Sequence, residues 1–325
     1  MSQSEPSSKR KFFRPALLIP LALVAVAVVL WIGAASFITY RILHPPFLAG
    51  GNGDVIIGSE KTPVQLGVDP KSCCEAVFED LSIADDSGLA VAAWFVPGTL
   101  PSAILLIPPA DASRRTMLPY LKFLHAAGLP VLMIDSPDFA LDRSGWGWGA
   151  RDSVRGAAQA LRRKGYPNLA ALGVSEGAAA ALMVQGETPQ VFQVIIADSP
   201  FASLGEMLRR NPSLAGLNPA FLQTVMWELG LALGRSVDKI SPASSAAKIG
   251  NCALLVIQNA KDPLTPESDG GKILAARANP SSNIYLTPSE GHGDAIYLDP
   301  ATYQKTVLDF LARNLPGASA IATPN

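Results

Sequence analysis

The pattern of apolar and polar positions divides this chain into one long uncharged run and, after a break, a series of short runs of changing period. From Ala16 to Ile38, 23 residues pass without a charge. A helix of that length spans roughly 34 Å at 1.5 Å per residue, against about 30 Å for the hydrocarbon core of a bilayer. Arg41 to about Lys71 is rich in glycine and proline, including Pro45-Pro46 and Gly50-Gly51-Asn52-Gly53, and reads as a linker that holds the next part off the bilayer. Two strand-like runs follow, Ala76 to Ile83 and Leu89 to Val96, joined by the turn sequence Ala84-Asp85-Asp86-Ser87-Gly88. Ala103 to Ile107, Pro130 to Ile134, Leu169 to Leu172, Val191 to Ala197, Ala253 to Gln258 and Asn283 to Leu286 are short and apolar, as strands buried on both faces are. Between them lie helical patterns. Thr116 to Ala127 carries Leu118, Leu121 and Leu124 and stops at Gly128, and Ala150 to Lys164 ends in Arg162-Arg163-Lys164. Ala178 to Val184 is strongly helix-forming, and Thr302 to Asn314 presents Tyr303, Val307, Phe310 and Leu311 on one face. Strands alternating with helices predict a parallel sheet covered on both sides.

The alternation stops between Pro200 and Ala247. There Ala220 to Leu233 aligns Phe221, Val225, Leu229 and Leu233, with Leu222 and Met226 beside them. This stretch reads either as packing onto the core or as a small helical lid, about residues 200–247, whose apolar face lines a pocket for an acyl chain or apolar side chain. The predicted organisation is a basic tail at 1–15, a membrane span at 16–40, a linker at 41–71, an α/β domain at 72–316 and a disordered small, polar tail at 317–325.

Charge gives the long run a direction. Lys9, Arg10, Lys11 and Arg14 precede it, whereas only Arg41 follows closely. The positive-inside bias predicts a single-pass signal anchor with a cytoplasmic N-terminus and an extracytoplasmic domain. Gly33-Ala34-Ala35 offers the alternative of a cleaved signal peptide, but such peptides have a shorter apolar core of about 7–15 residues. A net charge of −1 leaves nucleic acid out as a global partner. Three cysteines do not make a disulfide framework. Cys252 reads as a small buried hydrophobe, with a bridge to Cys73 or Cys74 left open.

The candidate chemistry centres on Gly173-Val174-Ser175-Glu176-Gly177, which reads G-x-S-x-G. A strand before and a helix after give the context of a nucleophile elbow, in which a sharp turn exposes the serine oxygen. A serine hydroxyl needs a base to act at neutral pH. Of the three histidines, His44 lies in the linker and His125 on a helix. His292, in the loop Ser289-Glu290-Gly291-His292-Gly293-Asp294 after the last strand, is left as the base. Asp262, just after the strand Ala253–Gln258, is the expected carboxylate partner. Asp198 is the second choice, with buttressing of the elbow as its commoner role, and Asp294 is too close to His292 in sequence to be preferred. Gly145-Trp146-Gly147-Trp148-Gly149 has no strand running directly into it and reads as a structured loop near the pocket rather than a nucleotide site.

The order Ser175, Asp262, His292 is that of α/β-hydrolases, and the chain from Phe78 to Arg313 resembles that superfamily, most of all its membrane-anchored abhydrolase-domain and serine-aminopeptidase-like branch. The resemblance rests on Ala93-Trp94-Phe95-Val96-Pro97-Gly98, the elbow, Ala197-Asp198-Ser199-Pro200-Phe201, Lys261-Asp262-Pro263-Leu264-Thr265-Pro266 and Gly291-His292-Gly293-Asp294. It implies an α/β-hydrolase fold with a small helical lid. It also implies a serine hydrolase acting on an ester, thioester or amide, with oxyanion donors in the backbone of Ala110 and Glu176. The chain departs from the family at Pro108-Pro109-Ala110-Asp111, where members usually have His-Gly. Proline has no N–H to donate, but Ala110 does. The departure leaves a catalytically silent, membrane-tethered binding or scaffold module as the rival reading. Glu176 is further expected to bring negative charge near the oxyanion, which would favour cationic substrates. The expected partners are a small-molecule or lipid-like acyl substrate and, through the N-terminal helix, the bilayer. No cofactor or metal is implied.

Overall fold

The computed structural model describes residues 18–44, 69–84, 88–110, 112–137, 144–277 and 281–321. The basic tail 1–15, most of the expected linker, the turn residues Asp85, Asp86 and Ser87, Asp111, and the last residues of the tail lie outside them.

Helix α1, Leu18–Leu43, is the one described helix long and apolar enough to cross a membrane. It extends past the predicted end because Ala35, Thr39 and Leu43, spaced by four, form one buried stripe against the rest of the molecule. The first residues of the stretch expected as a linker, Arg41 to Leu43, are thus helical. Helix α2, Pro70–Cys74, is capped by Asp69, whose carboxylate accepts from Ser72 N at 2.7 Å.

The domain is an eight-stranded sheet in the order β1-β2-β4-β3-β5-β6-β7-β8. Strands β1 (Glu79–Ala84) and β2 (Ala90–Val96) form the predicted antiparallel hairpin, and β2 also pairs antiparallel with β4. Strands β3 (Ser102–Ile107), β4 (Val131–Ile134), β5 (Asn168–Val174), β6 (Val194–Asp198), β7 (Ala253–Asn259) and β8 (Asn283–Thr287) are mutually parallel. Period-two alternation gives each parallel strand two apolar faces. Ile104, Leu106, Leu172 and Ile196 face α3 (Leu118–Ala126) and the closing helix, Pro300–Asn314. Leu105, Ile107, Ala171 and Ile195 face α4 (Arg151–Arg163), α5 (Glu176–Glu187) and two later helices.

After β6 come α6 (Leu204–Arg210), α7 (Pro212–Ala215), α8 (Pro219–Ala232) and α9 (Pro242–Ala246). These four helices occupy the stretch, about residues 200–247, read from the sequence either as core packing or as a lid. The chain closes with α10 (Glu267–Ala275), α11 (Ala295–Leu298) and α12 (Pro300–Asn314). The tail expected to be disordered from Gly317 instead packs as far as Ile321: Ala318 and Ile321 are buried in the α3–α12 layer, and Ser102 Oγ donates to the Pro316 carbonyl.

A third apolar cluster joins Leu43 of α1, Ala179 and Met183 of α5, Leu204 and Leu208 of α6, and Met226 and Leu229 of α8, with Trp146 and Trp148 against it. The end of α1, the helices after β6 and the helix after the elbow thus share one core.

Candidate active site

Strand order reverses direction at β3, with β4 on one side and β5 on the other. Open α/β sheets bind ligands at the carboxyl ends of the strands flanking such a switch. Both ends carry predicted residues: Ser175 follows β5, and Pro108 to Ala110 follow β3.

Ser175 has φ 53° and ψ −111°, a conformation that L-residues seldom adopt. The flanking glycines make it attainable. A Cβ on Gly173 would strike the backbone of Gly177 and Ala178, and one on Gly177 would lie 2.5 Å from the carbonyl oxygens of Ile107 and Pro108. The second clash shows that the loop after β3 runs against the first turn of α5. Ser175 N donates to the Asp198 carbonyl at 2.7 Å, which fixes the turn to β6.

The three residues expected to act together are brought together. His292 Nε2 lies 2.7 Å from Ser175 Oγ, and Nδ1 lies 2.6 Å from Asp262 Oδ2. A carboxylate only accepts, so Nδ1 carries the proton and Nε2 is the acceptor for the serine hydroxyl. Asp262 also accepts from Leu264 N and Thr265 N on Oδ1 at 2.8 and 3.0 Å, and from Thr265 Oγ1 on Oδ2 at 2.7 Å. Burial pushes its carboxyl up, but the hydrogen bond and charge of His292, with the Thr265 bonds, bring it net below the ordinary range.

The other candidate acids do different work. Asp198 is fully buried at the end of β6 and accepts from Tyr303 OH at 2.8 Å and Ser199 Oγ at 2.9 Å. Burial raises its pKa to about 6 against those two bonds, which lower it. Asp294 accepts from Ser289 Oγ at 2.6 Å and Asn259 Nδ2 at 2.7 Å, and so ties down the histidine loop from within. His44 bonds the Tyr40 carbonyl at the end of α1, and His125 sits on α3.

Several supporting residues escaped the sequence reading. Asn259, the last residue of β7, donates to the Gly291 carbonyl at 2.8 Å as well as to Asp294, and accepts from Thr287 at 2.5 Å. It joins β7, β8 and the histidine loop. Ser199, also at positive φ (53°), accepts from Gly293 N at 3.2 Å, and its carbonyl lies 3.3 Å from Thr265 Oγ1. It touches both the acid loop and the base loop. The available signal was only a polar residue at the end of an otherwise apolar strand.

One expectation changes. The Glu176 side chain is buried and turned into the Trp146–Trp148 loop: Gly147 N donates to Oε1, and Ser144 Oγ donates to Oε2 at 3.2 Å. Its charge is absorbed by that loop instead of facing the serine, so the expected preference for cationic substrates loses its basis. Trp148 lies between two guanidinium groups, with Arg151 at 3.2 Å and Arg235 at 4.3 Å from the ring centre. Cys252 is buried and unbonded, its thiol pushed up to about 12 chiefly by burial, while Cys73 and Cys74 pair with each other.

The sequence matches the model of the prolyl oligopeptidase family over residues 146–317, more than half of the chain and the whole span from the tryptophan loop to the closing helix. The chain belongs to the prolyl oligopeptidase family. Its solved neighbours share the α/β-hydrolase fold at low identity. The Pyrococcus furiosus esterase Pf2001 is 18% identical, with a TM-score of 0.62 over 77% of this chain and 97% of that one. Dipeptidyl peptidase 4 of Porphyromonas gingivalis is 16% identical, with a TM-score of 0.53 over 72% of this chain but 35% of that one. The acylaminoacyl peptidase of Pyrococcus horikoshii is 13% identical, with a TM-score of 0.55 over 74% and 42%. No match is found among curated proteins. Family membership and these esterase and peptidase neighbours support a serine hydrolase. The loop Pro108–Ala110 falls outside the matched region, whereas Ser175, Asp262 and His292 lie within it.

Proposed function

We propose that this prolyl oligopeptidase family member is a membrane-anchored serine hydrolase that cleaves an ester, thioester or amide through an acyl-enzyme. The observation that carries this reading is His292 bridging Ser175 and Asp262 at 2.7 and 2.6 Å. Ser175 Oγ attacks the acyl carbonyl while His292 Nε2 takes its proton. Asp262 holds the imidazole in the required tautomer and stabilises the imidazolium. The oxyanion is held by the amides of Ala110 and Glu176; the latter opens α5, where backbone N–H groups point out of the helix. His292 then returns the proton to the leaving group, and water repeats the cycle on the acyl-enzyme to release the acid. The acyl group is a small-molecule or lipid-like one, in keeping with the apolar lid, and the reaction needs neither metal nor cofactor. Helix α1 anchors the chain, with the basic tail in the cytoplasm and the hydrolase domain outside, as the charge asymmetry favours.

Fluorophosphonate labelling of the full chain in detergent tests this. The wild type labels, and Ser175→Ala and His292→Ala do not. A folded wild-type chain that stays unlabelled would make the Pro108-Pro109 loop an incompetent oxyanion site and favour a silent scaffold. Turnover of short acyl esters against aminoacyl amides separates esterase from aminopeptidase.

A further inference from the structure

Helix α8 has an unusual surface for an outer element of a domain that faces water. Of its 14 residues only Glu228 is charged, and that carboxylate accepts from Thr39 of α1 at 3.4 Å. One face packs on the domain through Val225, Met226 and Leu229. The opposite face presents Gln223, Trp227 and Leu231, spaced by four, with the two apolar side chains 62% and 61% exposed. A lid helix that meets water on its outer side carries mostly polar residues there.

What lies beside this face is α1. Trp31 donates to Thr224 Oγ1 at 3.0 Å and meets Phe221 edge-on at 5.1 Å, and eight residues on, Thr39 donates to the Val225 carbonyl at 3.4 Å. The two helices thus run side by side in the same sense. Trp31 precedes Ile38, the last residue of the run read as the span, by seven residues, or about 10 Å along the helix. The start of α8 therefore lies level with the outer part of the hydrocarbon layer when α1 spans it. Beyond α8, Arg235 and Lys239 are exposed, and cations just past an interfacial segment suit the phosphate region of a bilayer. Apart from its buried stripe, α1 exposes large apolar side chains, Phe37 among them, so the medium that surrounds it also reaches α8.

We propose that α8 is a second membrane-contacting element: its Trp227–Leu231 face lies in the lipid–water interface of the bilayer that α1 crosses, and the lid is seated on the membrane. The proposal rests on the reading of α1 as a membrane span but not on the chemistry of Ser175.

The test uses the full chain reconstituted in phosphatidylcholine vesicles, with an environment-sensitive fluorophore on Val24→Cys, Trp227→Cys, Leu231→Cys or Lys305→Cys, and the unsubstituted chain labelled in parallel for background. Lys305 lies on α12, across the sheet from the lid. Nitroxide-labelled lipids are expected to quench positions 227 and 231 several-fold more than 305, and aqueous iodide the reverse, with position 24 quenched by the deepest nitroxides. Lipid quenching at 24 but iodide quenching at both 227 and 231 would overturn the proposal and leave the anchor standing. Shielding of 227 and 231 from both quenchers would overturn it in favour of a second copy on that face. Absence of lipid quenching at 24 would remove the span and the proposal together. None of these readouts depends on turnover, so they stand apart from the fluorophosphonate result.

Discussion

Two aspartates end neighbouring strands of one sheet, and the protein treats them in opposite ways. Asp198 closes β6 and Asp262 follows β7; both are buried, and both feel the charge of His292. Asp262 meets a histidine, a hydroxyl and two backbone amides, and its carboxyl falls below the ordinary range despite burial. Asp198 meets only two hydroxyls, and burial wins, raising it to about 6. The difference shows that depth alone does not set the charge of a carboxylate. The number and charge of its donors decide whether it can serve as the fixed anion beside a base.

The comparison is broken most forcefully at Asp262. In Asp262→Asn the amide cannot hold the imidazole in the same tautomer, and kcat is expected to fall about 10⁴-fold. Asp198→Asn should cost far less activity, about tenfold or under, because Asp198 holds the elbow through its backbone carbonyl, which the substitution keeps. Equal losses in the two variants would mean that Asp198 is the working acid.

The next effect is on stability. Asp198 binds its proton more tightly folded than unfolded, so its stabilising contribution is full below the ordinary carboxylate range and is lost as pH rises through about 6. A shift of that size corresponds to about 3 kcal/mol at most. Melting temperatures of the full chain should fall between about pH 4 and 6 and flatten in Asp198→Asn. Asp262 has the opposite sign: its contribution is present above the ordinary range and is lost as pH falls below it. The smallest change is Tyr303→Phe. It removes one donor to Asp198, costs about 1–3 kcal/mol as a buried unmade bond, and moves the loss of stability to higher pH. A window that stays in place would mean that the tyrosine does not stabilise the carboxylate.

The sheet could be read in advance because its signals are local. β3 is six buried residues in a row, β5 runs straight into the elbow, and each has turn or helix residues where the run stops. Ser175 and His292 were legible for a related reason, the first from its glycine spacing and the second because the other two histidines fell on a linker and a helix. Asn259 and Ser199 were not legible. Each is one polar residue at a strand end, and its role depends on groups about 30 and about 90 positions away that only the closed sheet brings near. The same holds for the tail, where Ala318 and Ile321 look like small or isolated residues until the α3–α12 layer supplies their partners.

By itself, then, the sequence determined the periodicities, the long uncharged helix, the strained serine turn between its glycines, and the order Ser175, Asp262, His292. These follow from spacing and backbone sterics within a few residues. The tertiary structure decided which aspartate reaches His292, where the Glu176 carboxylate turns, and that α1 packs against α8. Each of those is a choice among competing long-range contacts, settled by which donors and apolar surfaces the fold leaves available once the sheet has closed.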